Sequence, residues 1–477
     1  MTIRNERWSE EEFQRERKKV LALWPTGKKI DLDEAVEFHH SLPSTKNYAR
    51  EVVKAKSEGR TLVQPRGGVA LVDEHIKLLR FLQDEDGADL LPTTTDTYTR
   101  NMRLNEAQVG IKESRKQGRS MLNGLPIINH GVRNVRKVIE AMERPVMVLS
   151  GTPFPQLTAE VAFAAGFSAF LGAGISYPSS YIKDLSIEEG IRNYQYLDRL
   201  TSFYNEQGIP IHREQPGFLT GTLIPPGIGI AIAVMEVLLA AGQGLRHYSV
   251  GLNQNLDLYQ DVAALKVLEE LCHHYLKRLG YEDMFISTAT HEWMGAFPYD
   301  EAGAFAVIVM GGVTAALAGA TQVITKTSHE CEGIPTKEAN AEGIRATKMA
   351  IKILRDRKLP LDPEITTEME IIRLEACSIL DKALELGDGD IAIGTVRGFE
   401  AGVIDVVWAP NRHVRGAVIP VRDAQGAVRY LEFGSLPFSK QVKEYHRDKL
   451  KQRERRERKK VDYEAAIFDV TEISRAF

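Results

Sequence analysis

Cysteine is scarce. The 477 residues hold three, Cys272, Cys331 and Cys377, set far apart and without metal-ligand spacing. That excludes a disulfide-stapled scaffold and a zinc cluster, and it fits reduced thiols in a cytoplasmic protein. Charge of one sign is also lacking. Lys and Arg number 61 against 65 Asp and Glu, a formal net charge of −4. No global field therefore draws the chain to nucleic acid or to an anionic membrane. The opening Met1-Thr2-Ile3-Arg4-Asn5-Glu6 lacks the apolar core of a secretion signal. Long apolar runs are few. Residues 227–242 are interrupted by Glu236, a costly group at a bilayer centre. Residues 304–320 approach a spanning length, but they carry Gly311, Gly312 and Thr314 and lack flanking basic and aromatic anchors. A buried helix is the expectation there.

What is present has a regular order. Ser9-Glu10-Glu11-Glu12 is a capping-box start, with Phe13, Val20, Leu21 and Trp24 on one face of the helix that follows. A second helix is expected from Asp33 towards Leu42. From about Arg60, short apolar runs alternate with helical patterns, the signature of a parallel α/β sheet. Candidate strands are Leu62-Val63-Gln64, Asp89-Leu90-Leu91, Met121-Leu122-Asn123, Val146-Met147-Val148-Leu149 and Ala169-Phe170-Leu171. Ile209-Pro210-Ile211, Tyr248-Ser249-Val250, Phe285-Ile286-Ser287 and Val323-Ile324-Thr325 complete the set. That is one more than an eight-stranded barrel needs, and pattern does not say which is surplus. The expected fold is α/β: a (β/α)8 TIM-type barrel over 60–386, a helical segment over 1–59 and a small C-terminal α+β domain over 387–477. In the last, Ala417-Val418-Ile419-Pro420-Val421 and Val428-Arg429-Tyr430-Leu431-Glu432-Phe433 read as strands, the second entered through a Gln425-Gly426 turn. The charged run 451–460 has no interleaved aromatics and reads as a solvated helix face, with no nucleic-acid role.

Chemistry is sought where strands open into loops on one rim. Thr325-Lys326-Thr327-Ser328-His329-Glu330 follows the β-branched run Gln322-Val323-Ile324 and puts a lysine and a glutamate at such a place. A surface ion pair is the other reading of those two residues. Arg66, in Pro65-Arg66-Gly67-Gly68, and Arg100, closing the Thr-rich run 93–100, also follow candidate strands. Two guanidinium forks on one rim suit an anionic substrate, because arginine matches carboxylate geometry with two donors. Tyr177 and Tyr181, beyond Gly172-Ala173-Gly174, add hydroxyl donors on a third loop.

Several longer motifs carry a family resemblance. They are Pro65-Arg66-Gly67-Gly68-Val69-Ala70-Leu71, Asp73-Glu74-His75-Ile76, Thr220-Gly221-Thr222-Leu223, Trp293-Met294-Gly295, Lys326-Thr327 with His329-Glu330, and Gly333-Ile334-Pro335-Thr336-Lys337-Glu338-Ala339-Asn340. Val421-Arg422-Asp423 with Arg429-Tyr430-Leu431-Glu432-Phe433-Gly434 completes the set. The chain resembles, nearly end to end, the epsilon (E) subunit family of glutamate mutase, or methylaspartate mutase. The resemblance implies an isomerase that uses adenosylcobalamin, held between a (β/α)8 barrel and a separate small cobalamin-binding subunit. It implies homolysis of the cobalt–carbon bond and radical rearrangement of a carbon skeleton, the cofactor carrying the hard chemistry. It places Gly68, Asn123, Ser180, Phe297, Lys326, Glu330 and Ile334 on the cofactor side. A homodimer within a hetero-oligomer, without nucleic acid or membrane, is the implied assembly.

Two departures qualify the resemblance. The cobalt-anchoring signature D-x-H-x-x-G is absent, since Asp73-Glu74-His75 runs on to Ile76, Lys77 and Leu78. A partner subunit is thereby implied to supply the cobalt ligand. The substrate side is also altered. Arg66, Arg100, Tyr177 and Tyr181 match the family, but its third substrate arginine is Leu149 here, the following histidine is Ser150, and its ammonium-pairing glutamate is Leu171. On the cofactor side, Ser180 stands where the family has proline. Losing a cationic and an anionic partner together is expected to disfavour glutamate. Two further readings stay open: a barrel lyase or aldolase with Lys326 as Schiff-base lysine, and a non-catalytic binding subunit of the same fold.

Overall fold

The computed structural model describes residues 3–85, 87–215, 217–218, 221–354, 357, 359–360 and 362–475; Met1, Thr2 and Thr220 lie outside them. Eight parallel strands form one sheet: β1 Leu62–Gln64, β2 Leu91–Thr94, β3 Val146–Leu149, β4 Ala169–Leu171, β5 His212–Gln215, β6 His247–Asn253, β7 Phe285–His291 and β8 Gln322–Ile324. Their order, β1-β8-β7-β6-β5-β4-β3-β2, curls the sheet into a nearly closed barrel with helices around it. The two end strands meet through Asp89 N–H to Val63 O (3.1 Å) and Thr94 N–H to Gly67 O (2.8 Å). The α/β barrel expected from the alternation is thus the fold.

Three strand expectations are corrected. Met121-Leu122-Asn123 is loop: Met121 N–H bonds the Ser114 hydroxyl (2.9 Å) and Asn123 bonds Thr97, so side chains take the place of a neighbouring strand. β2 and β5 each begin two or three residues later than the apolar runs Asp89-Leu90-Leu91 and Ile209-Pro210-Ile211. The strand β5 is His-Arg-Glu-Gln, and all four side chains are buried. It hides from an apolar search because it faces a polar layer inside the barrel. There Gln322 donates to Glu214 (2.7 Å) and to the Tyr48 hydroxyl (2.7 Å), and Tyr48 donates to Gln64 (2.9 Å). Tyr48 comes from the helix Tyr48–Ser57, so the N-terminal segment reaches into the barrel interior. Met147, Leu149, Ala169, Leu171, Tyr177 and Ile324 pack together as an apolar cluster within the barrel.

Ser9 caps the helix Glu10–Ala22 by accepting from Glu12 N–H, as the capping box requires. The second helix runs Leu32–Ser41. The helix Glu301–Ala318 is long and apolar enough to cross a bilayer by length and composition, and 44% of it is buried. It is therefore half-buried, not fully enclosed. Gly312 seats it against the helix Lys337–Leu354, since a Cβ there would stand 2.9 Å from Thr347 O. At the C-terminal end, β9 Val418–Arg422 and β10 Val428–Phe433 pair antiparallel through a turn holding Gly426 at φ 105°. Tyr430, Phe433 and Val442 share one core with the helices Pro226–Gly242, Leu258–Arg278 and Pro363–Leu386. The charged run is not wholly solvated: Arg453 is buried and forks onto Asp469 at 2.7 and 2.9 Å.

Candidate active site

The loops after β1, β2 and β8 enclose a cleft of about 600 Å³ at the C-terminal mouth of the barrel. Six of the residues singled out in the sequence line it: Arg66, Gly68, Arg100, Asn123, Glu330 and Ile334. Lys77, Arg115, Arg119 and Lys337 make its rim basic, a feature the strand-end search did not isolate because three of the four sit on helices and Arg119 just beyond the end of one. Gly68 is required by contact. A Cβ there would stand 2.5 Å from Thr94 O and 3.1 Å from Gly124 Cα. Asn123 is exposed and ties two loops together by accepting from Thr97 N–H (3.0 Å). Ile334 is 69% exposed at the cleft edge.

Lys326 and Glu330 are not a surface pair. Lys326 is buried, and its Nζ donates to Glu330 Oε2 at 2.8 Å, with Arg66 Nη1 3.9 Å from the same oxygen. Lys326 Nζ also stands 5.9 Å from the centre of the Phe297 ring, which is buried beside Trp293. Burial lowers the Lys326 ammonium from its ordinary value, against the pull of Glu330. Burial alone would raise Glu330, but Lys326 and Arg66 outweigh it and hold the carboxyl below its ordinary range. The two shifts have one origin in the pair: each partner's charge favours the ionised form of the other, and burial opposes both. Arg100 anchors through Nε to Thr95 O at 2.9 Å. Its guanidinium is depressed chiefly by burial, to which Arg66 adds.

The residues predicted for the substrate side, apart from Arg66 and Arg100, are not in the lining of that cleft. Leu149 and Leu171 are register partners on β3 and β4, and Leu171 is in turn the partner of Glu214 on β5. Both leucines are buried, and they pack in one cluster with Tyr177. Tyr177 and Tyr181 stack with ring centroids 6.3 Å apart; the first is buried and the second 47% exposed. The helix that carries them, Ser176–Tyr181, follows the C-terminal end of β4, on the same rim as the arginine cleft. Two predicted residues have hydroxyls engaged within the chain. The Ser150 hydroxyl bonds Thr95 Oγ1 at 2.7 Å, and the Ser180 hydroxyl donates to Ser176 O at 2.7 Å.

Two buried acids support the rim and were missed. Asp96 accepts from Tyr98 N–H (2.9 Å), Thr99 N–H (3.1 Å) and the Thr99 hydroxyl, which fixes the turn carrying Arg100. Glu292 accepts from Lys326 N–H (2.6 Å) and from the hydroxyls of Thr347 (2.9 Å) and Thr325 (3.3 Å). Burial pushes the Glu292 carboxyl up to about 8. In sequence these acids carry no spacing signal; only the fold shows that they receive backbone N–H groups. His75, in the segment that failed the D-x-H-x-x-G test, is a core histidine. It sits 3.0 Å from Thr93 Oγ1, and burial lowers it to about 3.

The fold and the site together define a (β/α)8 barrel whose charged and aromatic groups gather at the strands' C-terminal mouth, the face where such barrels carry chemistry. The chain belongs to the methylaspartate mutase E chain family, whose sequence profile matches residues 42–477. It is 50% identical over 475 residues to the glutamate mutase epsilon subunit of Desulfitobacterium hafniense, covering 100% of this chain and 98% of that one. The epsilon subunits of Treponema denticola and Haloarcula marismortui are 46% and 43% identical, covering 99% and 98% of this chain and 98% and 95% of theirs.

Proposed function

We propose that the chain is the catalytic subunit of an adenosylcobalamin-dependent carbon-skeleton mutase, an isomerase of the glutamate mutase type, whose substrate is a carboxylic acid less polar than glutamate. The observation that carries this is the run Arg66–Glu330–Lys326–Phe297. It joins two residues of the cleft lining, Arg66 and Glu330, to Lys326 and Phe297 buried behind them. The residues fit the cofactor. Gly68 lines the cleft without a side chain, and Glu330 with Lys326 offers an acceptor and a donor to the vicinal hydroxyls of a ribose. Asn123, Ser180, Phe297 and Ile334 complete that side of the reading. When bound, adenosylcobalamin supplies the radical chemistry.

The chain's own residues bind, orient and shield. Arg66 and Arg100 hold one carboxylate of the substrate. Tyr177 and Tyr181 close over it. Leu149 and Leu171 line the far end and keep water out, so an uncharged group is accepted there and a charge is not. Ser150 keeps Thr95, and through it Arg100, in place. On this reading residues 60–386 form the catalytic barrel, 1–59 and 387–477 are additions to it, and the enzyme is cytoplasmic and assembles as a homodimer within a hetero-oligomer.

A small partner of the D-x-H-x-x-G type holds the cobalt. Equilibrium dialysis of this chain alone is expected to show little cobalamin binding, and addition of the small subunit to restore it. Tight binding by the isolated chain would contradict the division of labour. One observation favours the Schiff-base reading, the lowering of Lys326 by burial. Borohydride trapping with a carbonyl substrate separates the two, and no trapping is expected while Glu330 holds the ammonium at 2.8 Å.

A further inference from the structure

Glu236 interrupts an otherwise apolar helix, Pro226–Gly242, and nothing in the substrate or cofactor assignment uses it. Its carboxylate is buried and turned to the loop after β4. Oε2 accepts from Gly174 N–H at 2.9 Å, and Oε1 from Ile175 N–H at 2.7 Å and Ser176 N–H at 3.0 Å. These are the residues that lead into the helix Ser176–Tyr181. The far end of that short helix is held in the same manner. Asn411, buried and far away in sequence, donates from Nδ2 to Ile182 O (2.7 Å), Leu185 O (2.9 Å) and Pro178 O (3.3 Å). Its Oδ1 is taken by His413 N–H at 2.8 Å. The flank is closed by glycine: a Cβ on Gly190 would stand 2.5 Å from Gly174 O and 2.9 Å from Pro178 Cγ.

We propose that Glu236 and Asn411 are positioning residues, which together set where the Tyr177 and Tyr181 rings stand relative to Arg66 and Arg100. The link to substrate rests on the function proposed above; the clamp itself does not. A carboxylate meeting three backbone N–H groups, and an amide meeting three carbonyls, define both ends of one six-residue helix. Both come from elements outside that loop, so they fix it to the scaffold and not to itself. The inference also gives the region after the barrel a direct part in the site, through Asn411.

The energetics separate position from mere support. Burial raises the Glu236 carboxyl to about 7 despite the three N–H groups, with Asp198 adding to the rise. Arg213, Tyr194 and Tyr248 are the other titratable groups facing this corner. A carboxyl raised in the folded state disfavours folding once ionised. Stability falls as pH rises from the unfolded value through about 7, and above that the whole cost is present. Glu236→Gln removes the charge and with it that cost, while its amide presents a donor to an N–H and loosens the loop. A group kept only for stability would behave in the opposite way.

The test uses the full chain labelled with 3-fluorotyrosine, the residue 181 signal being assigned through Tyr181→Phe. In Glu236→Gln and in Asn411→Ala the residue 181 resonance is expected to shift or broaden. Exchange of the amides over 174–182 is expected to quicken by about tenfold. The thermal midpoint of Glu236→Gln at pH 8 is expected to be no lower than that of the parent. In the complex with the small subunit, the apparent Michaelis constant for substrate is expected to rise by about tenfold, with that for adenosylcobalamin unmoved. An unchanged resonance and unchanged exchange would overturn the proposal. So would loss of protection across the whole barrel with a lower midpoint, which is the signature of scaffold alone. A parent complex without turnover overturns the proposed function and leaves the resonance and exchange to decide the clamp.

Discussion

Leu149→Arg combined with Leu171→Glu is expected to raise turnover of L-glutamate by about 10²–10⁴-fold, measured as formation of 3-methylaspartate by the reconstituted complex. The magnitude follows from two restored contacts to charged groups at about 1.5–3 kcal/mol each, with about 1.4 kcal/mol per factor of ten. The structure explains why the pair must change together. Residues 149 and 171 are register partners on adjacent strands, so an arginine and a glutamate placed there face one another. Either charge alone is introduced at a buried site without a partner, which destabilises the fold by several kcal/mol. Leu171→Glu alone has a second difficulty. Its other neighbour is Glu214, already pushed up to about 7 by burial. Two adjacent carboxyls raise each other further, so one is protonated and pairs poorly with an ammonium. Neither single variant should therefore gain glutamate activity. If the unmodified protein turns glutamate over at an ordinary rate, on the order of 10 per second, the assignment of the leucines to the far end of the substrate is wrong.

Lys326→Ala and Glu330→Ala are expected to raise the apparent Michaelis constant for adenosylcobalamin by about 10–100-fold, from the loss of contacts worth about 1.5–3 kcal/mol. The constant for substrate should change far less. The variants differ in what they leave behind. Glu330→Ala leaves the Lys326 ammonium buried and subject to the like charge of Arg66, so its acidity increases and the site prefers lower pH. Lys326→Ala leaves Glu330 with Arg66 at 3.9 Å, still a partner, and is the milder change in stability. Kinetics with each component varied in turn separate the two constants. A change confined to the substrate constant would contradict the cofactor assignment.

Much of the fold was legible because the apolar strands β1, β3, β4 and β8 pack on both faces, and a short apolar run between helices has few other uses. The polar strand β5 was displaced in the sequence reading. Its His212 and Glu214 belong to an internal hydrogen-bond layer that no local pattern announces. The site was legible where a residue type alone fits a task, as with Arg66, Arg100 and the Lys326–Glu330 pair. It was illegible where a residue acts on backbone from a distance. Asp96, Glu236, Glu292 and Asn411 are ordinary letters until the fold sets N–H groups or carbonyls around them. The surplus strand at Met121 failed for the same reason, since a serine hydroxyl took the role of a neighbouring strand.

The central claim is that this barrel turns over a carboxylic acid with bound adenosylcobalamin. The most direct measurement uses adenosylcobalamin tritiated at the 5′ carbon, the reconstituted complex, and a panel of acids that includes glutamate and branched monocarboxylates with methyl, amide or thioether ends. The expected result is transfer of tritium into one of the less polar acids, dependent on Arg66, with little transfer into glutamate. Tritium retained by the cofactor with every acid, and an intact cobalt–carbon bond, would contradict the claim and favour a binding subunit that has kept only the fold.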